Sequence, residues 1–408
     1  MAVNSESQRA FFRTAPRSHF PRDIRLLAVA RLISEMGDEL ALIALIFTLK
    51  DSGPGAVSLL LAIFAASRIL VAPLSGSIVD RFPTRRLVVT ISVAQFWAAT
   101  ALVFVSGPFL YVFVFLLSVG GSTIGPAWQS YIAHVVPPDD LGKTYAFIQS
   151  YRSIAIVAGA GLGGFVVDRF GSDVAIFTNA STFLIVAAIG GTLVRQRVPS
   201  GRVDEIKDLG RGFIVFARSA VLRWTLVMLA AFNMSAGVVE VLSAFLITDE
   251  LGGTATDYGI VLGSLGASMF LTGALLSRIR LHFKDSTMLT VSAMLSACGM
   301  AAYALSPNVQ FAIACFAVNG AGLTGLHVFG TPIFVRHSNE QERGRMFAAS
   351  SSVTTAGILV ATGIAGAIGE LFPPRPVIFI SAAFCLLVSV VGGAQIRRKD
   401  IVSSNAVS

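Results

Sequence analysis

Arg31, Glu35, Asp38 and Glu39 stand inside an otherwise apolar run that ends at Leu49. On an α-helix, at 100° per residue, the four fall within an arc of roughly 100° on one face. A charged side chain costs about 2.5–3.5 kcal/mol or more at mid-membrane, so a face carrying four must look into protein or water. Three more ionisable groups share this position: Arg68, Arg152 and Glu240, each inside a later apolar run. Counted from the ends of their runs at 1.5 Å per residue, Asp38 lies about 16 Å deep, Arg68 about 18 Å and Glu35 about 21 Å. The matched depths predict that Arg68 pairs with Glu35 or Asp38, and the four-residue spacing pairs Arg31 with Glu35. Four acids then face three bases, so at least one carboxylate lacks a one-to-one partner. A desolvated, unpartnered carboxylate takes up a proton, which is the chemistry of proton coupling. Asp38, nearest mid-membrane, is the expected carrier, with Glu35 second. The competing account is a structural ion network with Glu39 reaching the outer water.

Such a face needs a scaffold of spanning helices, and the composition supplies one. The chain has 408 residues, 54% apolar and only 13% charged, against about 25% charged in soluble domains. Apolar runs long enough to cross about 30 Å of hydrocarbon occur near 24–49, 56–75, 87–106, 109–131, 143–168, 173–194, 222–248, 256–277, 287–305, 308–335, 345–370 and 376–395. Turn signals such as Asp51-Ser52-Gly53-Pro54-Gly55 and Pro137-Pro138-Asp139-Asp140 separate them. Of the 31 Lys and Arg, 25 fall in the two tails and the even-numbered connections, and only three on the opposite side. That asymmetry predicts that both termini are cytoplasmic. It also assigns the net charge of +8 to the anionic lipid surface, so no nucleic-acid partner is needed.

The longest polar interval divides the chain into a tail (1–23), a first bundle (24–194), a central cytoplasmic segment (195–221), a second bundle (222–395) and a C-terminal tail (396–408). The bundles repeat. At a constant offset of 202, Gly142-Lys143-Thr144-Tyr145-Ala146 matches Gly344-Arg345-Met346-Phe347-Ala348, Gly164 matches Gly366, Asp168 matches Glu370, and Phe170 matches Phe372. The expected fold class is therefore an all-α integral membrane protein, twelve transmembrane helices in two pseudo-symmetric six-helix halves around a midplane cavity. Gly159 and Gly163 have small-xxx-small spacing, with Gly161 and Gly164 beside them, and are expected to pack backbone to backbone between the halves.

Other chemistries find little support. The cysteines Cys298, Cys315 and Cys385 each lie in an apolar run and read as small core residues. The five histidines have no metal-ligand spacing, and His327 reads as a hydrogen-bonded packing residue. Neither a G-x-x-x-x-G-K-[ST] phosphate loop nor a G-x-S-x-G elbow occurs. No cofactor, metal or enzymatic activity is expected. Gln95, Gln129, Gln149, Asn179, Asn233 and Asn319 read as interhelical glue, while Phe64, Trp97, Trp128, Phe232, Phe245 and Phe329 are candidates to line an apolar site.

With these residues the sequence resembles the major facilitator superfamily, and within it the twelve-helix macrolide-efflux and enterobactin-exporter branch. The resemblance is carried by Ile33-Ser34-Glu35-Met36-Gly37-Asp38, by Gly76-Ser77-Ile78-Val79-Asp80-Arg81-Phe82-Pro83-Thr84-Arg85-Arg86, by Pro126-Ala127-Trp128-Gln129 and by Gly159-Ala160-Gly161-Leu162-Gly163-Gly164. It departs from the family pattern at Pro83, Thr84, Ala160 and Ser277, and lacks an arginine embedded in the fourth span. The resemblance implies that Asp80, within a gating loop 76–86 that also holds Gly76, Arg81, Arg85 and Arg86, sits against the start of the eleventh helix near Gly344. Together these readings describe a monomeric secondary transporter in the inner or plasma membrane. It would export a small amphiphilic compound, such as a drug or siderophore, in exchange for protons. Uptake or lipid flipping by the same fold, or a non-transporting sensor, are the alternatives.

Overall fold

In the computed structural model, the described residues are 22–137, 140–193, 219–279, 285–336 and 340–405, together with 214, 216 and 338. They form twelve long helices: α1 (Arg22–Lys50), α2 (Pro54–Arg81), α3 (Thr84–Phe104), α4 (Pro108–Val135), α5 (Leu141–Phe170), α6 (Ser172–Gly191), α7 (Ala220–Phe245), α8 (Ala255–Arg278), α9 (Asp285–Ala304), α10 (Val309–Arg336), α11 (Glu340–Gly369) and α12 (Pro374–Asn405). Eleven are long and apolar enough to cross a membrane. The twelfth, α1, is long enough but carries Arg31, Glu35, Asp38 and Glu39 in its middle.

The boundaries follow local chemistry. Pro54 and Pro108 open α2 and α4 at a position whose N–H has no helical partner. Thr254 and Asp257 cap α8 reciprocally. Gly171, at φ +86°, ends α5 and starts α6 in one residue, a backbone conformation that costs glycine nothing. The stretch 76–86 is not a loop: α2 runs through Arg81 and α3 starts at Thr84, leaving Phe82 and Pro83 as the link. Beyond 395 the chain stays helical to Asn405. The N-terminal tail up to residue 21 and most of the central segment 195–221 lie outside the described residues.

Packing repeats the sequence repeat. In the first half α1 packs on α5 and α6, α2 on α4, and α3 on α4 and α6; in the second, α7 packs on α11 and α12, α8 on α10, and α9 on α10 and α12. The halves meet chiefly at two places that are images of one another, α5 on α8 and α11 on α2. At the end where α1 finishes and α2 begins, one apolar cluster runs through both halves, from Leu40, Ile46 and Val57 to Val241, Tyr258 and Ala365. Toward the chain termini each half has its own core, one around Trp128 and Tyr131 and one around Phe232 and Phe334. Among the described residues the halves therefore share a core at one end and keep separate cores at the other.

Candidate functional site

Between the halves lies a cavity of about 490 Å³. Its polar wall comes almost wholly from the first half: Glu35, Asp38 and Glu39 from α1, Arg68 from α2, Gln95 from α3, Ser118 and Ser122 from α4, Arg152 from α5 and Asn179 from α6. The second half supplies Glu240 from α7, with Ile358 and Thr362 from α11. Leu42, Leu61, Phe64 and Ile156 add an apolar lining. Phe64 alone of the aromatic candidates lines this cavity; Trp128 and Phe232 are buried in the cores, and Trp97 is exposed away from it.

Glu35 is held on both sides. Arg31 Nη2 donates to Oε1 at 2.7 Å and Arg152 Nε donates to Oε2 at 2.9 Å. The first is the expected i,i+4 pair. The second corrects the expectation for Arg68, which forms no ion pair with Glu35 or Asp38 among the described residues. Depth along the membrane normal was matched, but α1 packs on α5 and hardly on α2, so the partner at Glu35's level comes from α5. Arg68 instead lines the same cavity as Asp38 and Glu240. Asp38, Glu39 and Glu240 have no ion-pair partner among the described residues, and Asp38 and Glu240 are exposed to the cavity although each sits mid-helix. Asp38, Glu35 and Gln95 also border a smaller cavity of about 100 Å³ inside the first half, which Ser34 and Trp128 line as well. No three His, Cys, Asp or Glu side chains cluster closely enough to hold a metal among the described residues.

Two neutral residues deserve more than the role of glue. Gln95 is 5% exposed, and its Nε2 donates to Leu117 O at 3.1 Å. That bond pins the amide, and its Oε1 is left without a partner. Asn179 is fully buried; its Oδ1 accepts from Thr182 while its Nδ2 has no partner. An unmet hydrogen-bonding atom in a buried amide is costly, and no pattern in the sequence distinguishes these two amides from the rest. His327 is hydrogen-bonded to Leu323 O at 2.9 Å, as expected, but is exposed, and so is Cys298.

The glycine run in α5 packs differently from the expectation. A Cβ on Gly159 would lie 2.9 Å from Glu39 Cβ, and one on Gly163 would lie 3.1 Å from Leu40 Cα, so both press on α1 of the same half. Only Gly164 meets the other half, and Gly161 faces open space. The reason is periodicity: Gly159 and Gly163 share one helix face, and Gly164 lies about 100° round from Gly163. Gly37 is a close contact of the same kind. A Cβ there would fall 2.4 Å from Asn179 Oδ1, so the glycine lets α1 seat against α6 beside Asp38. Arg81, Arg85 and Arg86 are exposed at the α2–α3 link. The surroundings of Gly76, Asp80 and Gly344 lie outside what the structure describes, so the expected seat of Asp80 is among the undescribed contacts.

The sequence model of the Major Facilitator Superfamily matches residues 27–309 and 241–405. An MFS-type transporter of Bacillus subtilis (strain 168), YfiS, is 24% identical over 408 residues, covering 94% of this chain and 94% of that protein. Multidrug resistance protein 1 of the same organism is 25% identical over 211 residues, 51% of this chain and 53% of that one. A crystal structure of the nucleoside transporter NupG superposes with a TM-score of 0.74 at 13% identity, covering 92% of this chain and 99% of that chain, and so shares the fold.

Proposed function

The chain belongs to the Major Facilitator Superfamily, as a multi-pass membrane transporter, and from that premise we propose that it is a monomeric proton-coupled exporter of small amphiphilic cations. The observation that carries this reading is the charge of the cavity. Glu35 takes up both Arg31 and Arg152, which leaves Asp38, Glu39 and Glu240 facing one cavity in which Arg68 is the one base without an ion-pair partner among the described residues. Like-charged carboxylates in a desolvated space repel, and they are relieved by a proton or by a bound cation. A lipophilic cation meets that need: its charge sits between Asp38 and Glu240, and its apolar body lies on Leu42, Phe64 and Ile156.

The same balance couples the two ligands. Glu240 rides on the second half and Asp38 on the first, so closing the cavity around them is unfavourable until charge is neutralised. Cargo entering from the cytoplasm does so in one direction, and a proton on Asp38 does so on return. Each ligand thus shifts the equilibrium between open ends only by its differential affinity for the two states. The Lys and Arg asymmetry supports cytoplasmic termini in a plasma membrane, and the end where the described residues form two separate cores would then face the cytoplasm.

The test is flux of tetraphenylphosphonium into everted vesicles with and without an imposed proton gradient, paired with proton release from purified protein on adding the same cation. Gradient-driven uptake into everted vesicles, and proton release lost in Asp38→Asn, are expected. Equal flux with and without the gradient would sink the coupling, and accumulation in right-side-out vesicles would reverse the direction.

A further inference from the structure

We propose that the end of the bundle away from the chain termini is closed by a duplicated clasp, in which a carboxylate in or just past the last turn of α5 or α11 docks on the first turn of α8 or α2 in the opposite half. The proposal rests on the chain being a transporter whose cavity opens at alternate ends. Asp168 Oδ2 accepts from Thr256 Oγ1 at 2.9 Å, and Glu370 Oε1 accepts from the backbone N–H of Gly55 at 2.9 Å. Thr256 and Gly55 are each the second residue of their helix. Four residues before each acid stands a glycine pressed on that same helix. A Cβ on Gly164 would fall 2.2 Å from Ala255 O, and one on Gly366 would fall 2.3 Å from Ser58 Cβ. Gly164 with Gly366, and Asp168 with Glu370, which repeat at an offset of 202 in the sequence, are thus among the residues that join the halves.

The chemistry suits a joint that must open. Pro54 has no N–H, so Gly55 offers the first free donor of α2, at the end where the helix dipole favours a carboxylate. Gly53, at φ +93°, leaves that donor uncovered; a Cβ there would lie 2.6 Å from Glu370 Oε1. Both acids are exposed, so water can replace each bond when the halves part. Two more contacts reinforce the same end: Lys50 Nζ donates to Asp249 at 2.5 Å, and Ser58 Oγ donates to Thr362 O at 2.8 Å. The shared apolar cluster lies directly beneath, whereas at the other end the described residues form no common core.

The test is a distance measurement in detergent-purified full-length protein with Cys298, Cys315 and Cys385 replaced by serine. Spin labels are placed at Phe109→Cys and Leu305→Cys, exposed positions at this end of each half. With the clasp intact, one short inter-label distance is expected. Asp168→Ala with Glu370→Ala should move at least half of the population to a longer distance, and each single change should produce a smaller shift of similar size. Glu370→Gln, which keeps the acceptor oxygen, should shift less than Glu370→Ala. An unchanged distribution in the monodisperse double variant overturns the clasp, and so does a shift produced by one acid only. If the double alanine variant is not monodisperse, Asp168→Asn with Glu370→Gln carries the same expectation at smaller amplitude, and no shift there overturns it. The measurement uses neither cargo nor a proton gradient. A failed clasp therefore leaves proton-coupled export standing, and failed coupling leaves the clasp standing.

Discussion

The two halves pack alike and carry different chemistry. Every helix pair that α1–α6 forms has its image in α7–α12, yet the first half supplies the cavity with Glu35, Asp38, Glu39, Arg68 and Arg152, and the second supplies one charged residue, Glu240. The contrast extends into the bundle interiors. In the second half several buried polar groups pair across helices: Ser296 donates to Asn319 Oδ1 at 2.5 Å, Ser235 bonds Ser381 at 2.9 Å, and Ser243 bonds Tyr303; Thr225 Oγ1 is the one buried side-chain atom left unmet there among the described residues. In the first half, Gln95 Oε1 and Asn179 Nδ2 are left unmet beside the cavity. What the duplication preserves is the geometry of joining. What it did not preserve is the charge, and unmet charge is the part that can bind.

That contrast can be broken by experiment. The largest effect is expected where the halves divide the work. Asp38→Asn should abolish the response of transport to a proton gradient. Glu240→Gln should keep that response and weaken cargo binding about tenfold, the equivalent of about 1.4 kcal/mol. Vesicle flux against cargo concentration at two pH values separates the two outcomes, and loss of coupling in both variants would mean that the acids act as one unit. Next comes Gly37→Ala. It places a methyl against Asn179 and should cost about 1–3 kcal/mol of stability, read as a fall in melting temperature of the purified protein.

Arg152→Ala should do less. Glu35 keeps Arg31, and the Arg152 side chain is 47% exposed, so about 1 kcal/mol is expected rather than the larger cost of stripping a buried acid of every partner. Thermal unfolding with Arg31→Ala, Arg152→Ala and the double variant checks this; the double change should cost more than the sum of the two. The smallest effect belongs to Gly161→Ala, which meets nothing within 4 Å and should stay within about 0.5 kcal/mol of the parent. A loss as large as that of Gly37→Ala would show that α5 packs on another surface than the one described.

Much of this was legible in the chain itself. Twelve long helices, the division into repeating halves and the acid-bearing face of α1 all follow from hydropathy and helical period, because the bilayer demands long apolar helices and puts a cost on every charge. The Arg31–Glu35 pair was readable for the same local reason: two residues on one helix need no knowledge of its neighbours. Azimuth was decided only in three dimensions. Arg68 has the depth of Asp38 but sits on a helix that packs elsewhere, so Glu35 found Arg152 instead. Gly159 and Gly163 turn toward α1 and Gly164 toward α8, a division set by which helices lie beside α5. A sequence fixes how far along its helix each residue stands. Which neighbour that residue faces depends on the rotation and order of all twelve helices, and those are settled only when the halves close on a shared core.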